Sequence, residues 1–140
     1  PEMLVKDLKF IEKLSPEMCG IGPFVPHKDT KFKNENHGDV SLVLMLLSII
    51  RLLKPNILLP ATTALGTVDP LGREKGILHG ANVVMPNLSP VKHRKDYSLY
   101  DNKICTGDEA AQCIGCLADR MKKIGYEIVT DRGDYTENYE

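Results

Sequence analysis

The 140-residue sequence lacks tryptophan and is poor in aromatic residues, which make up 6% of the chain. Proteins that bind single-stranded nucleic acid use aromatic rings as stacking surfaces, and here few are present. The formal net charge is only −1, from 18 basic and 19 acidic residues. A charge so close to zero gives no general attraction to nucleic acid or to anionic lipid. The composition therefore predicts neither a nucleic-acid nor a membrane partner.

The sequence also lacks an apolar run long enough to cross a bilayer. Its longest apolar segment, VSLVLMLLSII, covers residues 40–50 and ends before Arg51, whereas a spanning helix needs about 20 residues. A short segment that is apolar nearly all round predicts a buried helix. The charged, amphipathic first residues predict no signal peptide, and the four cysteines do not resemble a secreted disulfide framework. We expect a cytoplasmic protein.

Three of the four cysteines cluster within residues 103–116, KICTGDEAAQCIGC, with the spacing C-x7-C-x2-C. Two of them are three residues apart at a predicted helix start, where they share one side and where the helix dipole favours thiolate. The cluster predicts an iron–sulfur or zinc site with three ligands: Cys105, Cys113 and Cys116. Cys19, His93 and water are the candidates for a fourth. The alternatives are a chance cluster of packed thiols or a disulfide.

Helices and short apolar segments alternate along the chain. Helices are predicted over residues 2–14, 40–53 and 73–79 and through the cysteine motif to residue 124; strands are predicted at 18–25, 56–60 and 81–85. Short strands that are apolar on both faces and separated by helices are typical of a parallel sheet covered by helices. Three strands leave both sheet edges open, so we predict an α/β fold that forms the last part of a (β/α)8 barrel. The barrel units are expected to occupy residues 2–104, and a C-terminal extension with the cysteine helix and an acidic tail residues 105–140.

Active sites of such barrels lie at the C-terminal ends of the strands and in the loops that follow them. These positions are residues 24–27, 61–63 and 85–87. The irregular stretch that follows contains Tyr97 and Tyr100 and is predicted to form a flap over the strand ends. The tyrosines either reach a ligand or clamp the flap, whereas the basic run at 92–95 is predicted to be a solvated surface.

Taken in order, these residues resemble radical S-adenosylmethionine enzymes of the biotin synthase-like group, and within it the HydE-type maturases of [FeFe]-hydrogenase. The matching segments cover most of residues 2–124: GIGPFVPHKDT at 20–30, LLPATTALGT at 58–67, REKGILHGANVVMPN at 73–87, YSLYDNKIC at 97–105 and the three-cysteine motif. The resemblance implies a TIM-type barrel. It also implies a radical reaction on an iron-bound, sulfur-containing precursor of the hydrogenase active site. A biotin synthase-like sulfur insertion and a small Fe–S or zinc binding module are the alternatives.

The resemblance also implies roles for individual positions. Phe24 and Val25 match residues beside the adenosyl group of S-adenosylmethionine, and Cys105, Cys113 and Cys116 match the ligands of an accessory [2Fe–2S] or [4Fe–4S] cluster. The positions that match substrate-binding residues are Thr62, Thr63, Met85, Tyr97 and Tyr100. Each has a purely structural interpretation as well: Phe24 and Val25 as core, the threonines as a cap, and Met85 as filler.

The family binds its radical-generating [4Fe–4S] cluster through a C-x3-C-x2-C motif, and no three cysteines of this chain have that spacing. We therefore expect the chain, which begins at Pro1 with helical character, to be part of a longer enzyme and inactive alone. Its expected partners are the N-terminal half of the barrel and a small-molecule or organometallic substrate. Unpaired barrel edges predict that the isolated chain self-associates.

Overall fold

The structure, a computed structural model, describes residues 2–97, 99–104 and 110–136. Within these ranges, helices and strands follow one another in this order: α1 (Glu2–Leu14), α2 (Val40–Leu53), β1 (Pro60–Ala61), α3 (Thr63–Val68), α4 (Gly72–Leu78), β2 (Val83–Val84), a 3-10 helix (Val91–Tyr97) and α5 (Ala110–Lys123). The chain is therefore a mixed α/β protein, as predicted.

The two long N-terminal helices form where the apolar spacing predicts them. In α1, Leu8 and Ile11 lie on one face and pack against the core. Helix α2 begins after Asp39, whose carboxylate caps it by accepting the N–H of Ser41 at 2.8 Å. Its most deeply buried side chain is Leu47, at 0% exposure, as expected for a helix that is apolar nearly all round.

Three chain segments lie side by side in parallel. Strands β1 and β2 pair with Pro60 opposite Val83, and an isolated parallel bridge joins Met18 to Leu58. The regular pairing is shorter than the predicted strands at 18–25, 56–60 and 81–85. In the first segment, Gly20, Gly22 and Pro23 supply the reason, because proline cannot donate to a ladder and glycine weakens strand conformation. The parallel arrangement is confirmed, whereas closure into a barrel stays a prediction.

The core lies between this small sheet and the helices. Leu59 on the sheet side and Leu47 of α2 are fully buried, and Leu117 and Met121 of α5 are each 2% exposed in the same cluster. Helix α5 thus packs onto the same core as the preceding units, and the boundary predicted at residue 105 stays untested. None of the helices in the described part of the chain is long and apolar enough to cross a membrane.

Two segments differ from the sequence prediction. The stretch after β1, predicted to be a loop, forms α3, because Thr62 caps the helix that Ala64 and Leu65 continue. The flap contains the 3-10 helix. The prediction that the basic run is solvated was wrong for Arg94, which is only 2% exposed. Its guanidinium donates to the carbonyls of Ser89 and Asn87 at 2.8 and 3.1 Å.

Candidate functional site

Thr62 and Thr63 follow β1 directly, at the C-terminal end of the strand, and both are half-buried. The Thr62 hydroxyl oxygen accepts the N–H of Leu65 at 3.3 Å, so this residue caps α3. The carbonyl of Thr63 accepts the hydroxyl of Thr67 at 3.0 Å. A capping hydroxyl still has its own proton to donate. Thr62 can therefore cap the helix and also donate a hydrogen bond to a ligand.

The end of the Met18 segment approaches Thr62 closely. A Cβ placed on Gly22 would lie 2.7 Å from the Thr62 hydroxyl oxygen, a distance that real Cβ atoms do not adopt. Glycine at position 22 is thus what allows the first and second strand ends to meet. The structure thus identifies Thr62 as the group that Gly22 approaches.

Phe24 and Val25 stand at the end of the same segment. Phe24 is 47% exposed and meets Phe32 edge to face, with ring centroids 6.0 Å apart. Its carbonyl accepts the N–H of Gly38 at 2.8 Å, which closes the loop between them. Val25 is half-buried. The structural interpretation of Phe24 as a core residue was wrong, and an aromatic face remains accessible at this strand end.

Met85 follows β2 and is 48% exposed. It occupies the third strand end, beside the ends that carry Phe24 and Thr62, because the three segments are adjacent and parallel. The structure thus brings one predicted position from each strand to the same edge of the sheet. This convergence is the arrangement that ligand sites of parallel α/β folds require.

Residues 99–104, which we call the strap, connect the loop after the first strand end to helix α3. At one end, the Asp101 carboxylate accepts the N–H of Lys28 at 2.8 Å, and the Asp101 N–H donates to the Pro26 carbonyl at 3.1 Å. At the other, the N–H of Ile104 donates to the Thr67 hydroxyl at 3.4 Å. The predicted flap therefore does lie against the strand ends. Nothing in the sequence reading singled out Asp101.

The two tyrosines of the flap differ in their surroundings. Tyr97 ends the 3-10 helix and is 61% exposed, and its carbonyl accepts the Lys103 ammonium at 3.3 Å. Tyr100 lies within the strap and is half-buried. The ligand-binding role predicted for both tyrosines stays a prediction.

The predicted cysteine site is only partly visible. Cys105 lies outside the described residues, as does the side chain of Cys113, whereas Cys116 is an exposed residue of α5. Among the described residues, no group of three His, Cys, Asp or Glu side chains is placed to hold a metal ion. Positions 113 and 116 lie one turn apart in α5, as the spacing predicted. The metal site stays a prediction.

Two predicted fourth ligands can be located. Cys19 is half-buried against the core, and burial raises the pKa of its thiol above the ordinary value. A raised pKa disfavours the thiolate that a metal requires. His93 is exposed in the 3-10 helix, with its Nδ1 3.5 Å from the Asp96 carboxylate. Burial therefore argues against Cys19 as a metal ligand.

Helix α5 is fixed to α4 by an ion pair that the sequence analysis did not anticipate. Arg120 donates through two nitrogens to both carboxylate oxygens of Glu74, at 2.5 and 2.6 Å, and also to the Pro70 carbonyl. Burial alone would raise the pKa of Glu74, but the hydrogen bonds and charge of Arg120 outweigh it and hold that pKa below its ordinary value. The pair sets the position of the cysteine-bearing helix.

A cavity of about 500 Å³ lies between the sheet and the tail that follows α5. Met18, Leu58 and Val84 are among the residues that line it, together with residues 126–129 of the tail. None of the described residues predicted for the site is among them.

Parallel strands with converging ends and a strap across them agree with the resemblance to radical S-adenosylmethionine maturases, and sequence comparison confirms that resemblance. The chain is similar to the [FeFe] hydrogenase maturase subunit HydE of Thermotoga maritima, at 43% identity over 130 residues, which are 93% of this chain and 37% of that protein. It is also similar to 3-methylornithine synthase of Methanosarcina acetivorans, at 25% identity over 90% of this chain and 35% of that protein. The chain thus spans little more than a third of each relative. No family model matches it.

Proposed function

We propose that this chain is the C-terminal part of a HydE-like radical S-adenosylmethionine maturase that acts in assembly of the [FeFe]-hydrogenase active site. The observation that carries the proposal is the 43% identity to HydE over 93% of the chain. The convergence of Phe24, Thr62 and Met85 at one edge of the sheet supports it, because that edge is where such folds bind ligands.

Within the longer enzyme, these strand ends form one wall of the reaction cavity. Phe24 and Val25 contact the adenosyl group through apolar surface, while Thr62 and Thr63 bind polar or anionic substrate groups through their hydroxyls. Met85, Tyr97 and Tyr100 complete the wall around an iron-bound, sulfur-containing substrate. A [4Fe–4S] cluster would be held by another part of the enzyme, not by this chain, and would supply the electron for reductive cleavage of S-adenosylmethionine.

Cys105, Cys113 and Cys116 are proposed as ligands of an accessory Fe–S cluster of [2Fe–2S] or [4Fe–4S] type at the rim. The support is their spacing on and before α5 and the exposure of Cys116, which leaves a ligand accessible. After anaerobic reconstitution with iron and sulfide, the chain should show a thiolate-to-iron absorption band that Cys113→Ser removes. Colourless protein containing tetrahedral zinc would favour a structural metal site instead.

The remainder of the barrel is proposed to pack against the open side of this chain. Met18 is bridged to Leu58 on one side and is itself 49% exposed. Helix α1 also exposes three large apolar side chains one or two turns apart: Met3, Phe10 and Leu14. Exposed apolar surface next to a sheet edge is what an adjoining β/α unit would cover. The boundary at residue 105 would then separate barrel units from a C-terminal extension.

Complementation tests the proposal. The gene at its natural length should restore hydrogenase activity in a host that has [FeFe]-hydrogenase but lacks its own HydE. Thr63→Val should abolish or strongly reduce this rescue, whereas the matched substitution Thr130→Val, at an exposed position of the tail, should not. Absence of rescue by the unmodified gene would contradict the maturase assignment. If that protein still cleaved S-adenosylmethionine, another reaction of the biotin synthase-like group would be favoured, as the similarity to 3-methylornithine synthase allows.

A further inference from the structure

Asp101 makes two contacts with the loop that follows Phe24 and Val25. Its side chain accepts the N–H of Lys28 at 2.8 Å, and its backbone N–H donates to the Pro26 carbonyl at 3.1 Å. Lys28 is 73 residues from Asp101 in sequence, so the contacts join distant parts of the chain. A carboxylate that accepts a backbone N–H forms one of the stronger types of hydrogen bond.

The far end of the strap is held by a different element. Ile104 donates its N–H to the Thr67 hydroxyl at 3.4 Å, and its side chain packs where a Cβ on Gly66 would lie only 2.9 Å away. The absence of a side chain at Gly66 leaves room for Ile104 against α3. Asn102, which follows Asp101, has a positive φ of 56° and turns the chain between the two attachments. The strap therefore bridges the first strand end and the helix that begins at the second.

We propose that Asp101 is a positioning residue of the strand-end site: it holds the strap closed and thereby fixes Tyr100, its neighbour, over the strand ends. The assignment of Tyr100 to a substrate rests on the proposed function, whereas the closed strap rests on the contacts alone. Because the same carboxylate holds the loop after Phe24 and Val25, it also fixes the strand end proposed to contact the adenosyl group. When the Asp101 contacts break, the strap and the loop that follows Val25 both lose their fixed positions.

Three variants separate this role from a general effect of charge. Asp101→Ala removes the acceptor, and Asp101→Asn keeps an oxygen that can accept the Lys28 N–H. Asp96→Ala is the matched control, because Asp96 belongs to the same flap, is 70% exposed and contacts His93. Far-UV circular dichroism of each variant checks that it has folded, and Asp101→Asn, which keeps the acceptor without its charge, should stay closer to the unmodified protein than to Asp101→Ala in every measurement below.

Hydrogen exchange and tyrosine nitration test the strap without any substrate. In the protein at its natural length, Asp101→Ala should speed exchange of the Ile104 amide about tenfold, as expected for loss of one charge-assisted hydrogen bond. Ile104 has its partner on α3, so a purely local change at Lys28 would leave it unaffected. With tetranitromethane, Tyr100 should become nitrated several times faster while Tyr97, already exposed, serves as the internal reference. Unchanged rates at Ile104 and Tyr100, or equal changes in Asp96→Ala, would overturn the proposal.

A kinetic measurement links the strap to the chemistry. In the reconstituted protein, Asp101→Ala should raise the KM for S-adenosylmethionine about tenfold and Asp96→Ala should leave it within about twofold, the tenfold change being that of one lost hydrogen bond. Failure of the unmodified protein to cleave S-adenosylmethionine would contradict the proposed function. The exchange and nitration measurements would then still test whether Asp101 holds the strap in place. An unchanged KM together with faster nitration of Tyr100 would overturn the positioning role.

Discussion

Gly22 and Thr62 are so close that a Cβ on Gly22 would stand 2.7 Å from the Thr62 hydroxyl oxygen. Thr62 in turn caps α3. It is also one of the two threonines, with Thr63, that match substrate-binding positions of the family. The close approach thus connects the end of the first strand to the hydroxyls at the end of the second. Any side chain at position 22 therefore displaces either the backbone at Gly22 or the hydroxyl of Thr62.

Gly22→Ala should therefore destabilise the protein by about 1–3 kcal/mol through overpacking. Thr62→Ala alone should cost about 1 kcal/mol through loss of the cap, and because it removes the atom that clashes, the double variant should cost less than the sum by roughly 1 kcal/mol. Urea unfolding measures all three. Gly20→Ala is the matched control, since nothing lies within 4 Å of a Cβ there. An additive double variant would contradict the contact.

The Arg120–Glu74 pair predicts a strong effect of removing one partner. Glu74→Gln or Arg120→Leu should each lower the free energy of unfolding by about 3 kcal/mol, because each leaves the other group buried with its charge or hydrogen bonds uncompensated. Replacing both residues by leucine should restore most of the stability, because two apolar side chains can be buried against each other without leaving a charge unpaired. A double replacement as unstable as the worse single variant would contradict the interpretation.

The same pair predicts a pH dependence. The pKa of Glu74 is lower in the folded than in the unfolded protein, so its contribution is fully present above the unfolded pKa of about 4.3. That contribution is lost as the pH falls through the folded value. The stability difference between the unmodified protein and Glu74→Gln should therefore be constant near neutrality and shrink on acidification below about pH 4.3. A difference that grows at low pH would show that the sign is wrong.

The apolar face of α1 predicts self-association of the isolated chain. Met3, Phe10 and Leu14 are 68%, 62% and 59% exposed along one side of the helix. Light scattering coupled to size exclusion should detect dimers or larger species, which Phe10→Glu reduces. Leu52→Glu, at an 81% exposed position of α2, should have less effect. A monodisperse monomer would argue that no further unit packs on this face.

Sequence reasoning predicted the features that depend on local pattern. The bounds of α1 and α2 follow from apolar periodicity, and the structure confirms both. The parallel order of the three segments follows from the alternation of helices and strands. Thr62 as a cap was one of two interpretations, and the contact with Leu65 confirms it.

Features that depend on distant contacts were not predictable in the same way. Asp101 is one of two acidic residues in the stretch 88–104, and only the folded chain brings it to Lys28. Arg94 belongs to a run of charges typical of a surface, yet the carbonyls of Ser89 and Asn87 compensate its burial. Arg120 and Glu74 are 46 residues apart in sequence, so no local spacing pattern predicts their contact. Such pairs arise from tertiary packing, which periodicity does not encode.

The central claim, that this chain supplies the substrate-facing part of a HydE-like radical enzyme, is tested most directly by S-adenosylmethionine cleavage. The protein at its natural length and the isolated 140-residue chain would be reconstituted anaerobically with iron and sulfide, reduced, and assayed for 5′-deoxyadenosine. We predict that the natural-length protein forms 5′-deoxyadenosine and methionine and that the isolated chain forms neither. Cleavage by the isolated chain, or none by the natural-length protein, would contradict the account.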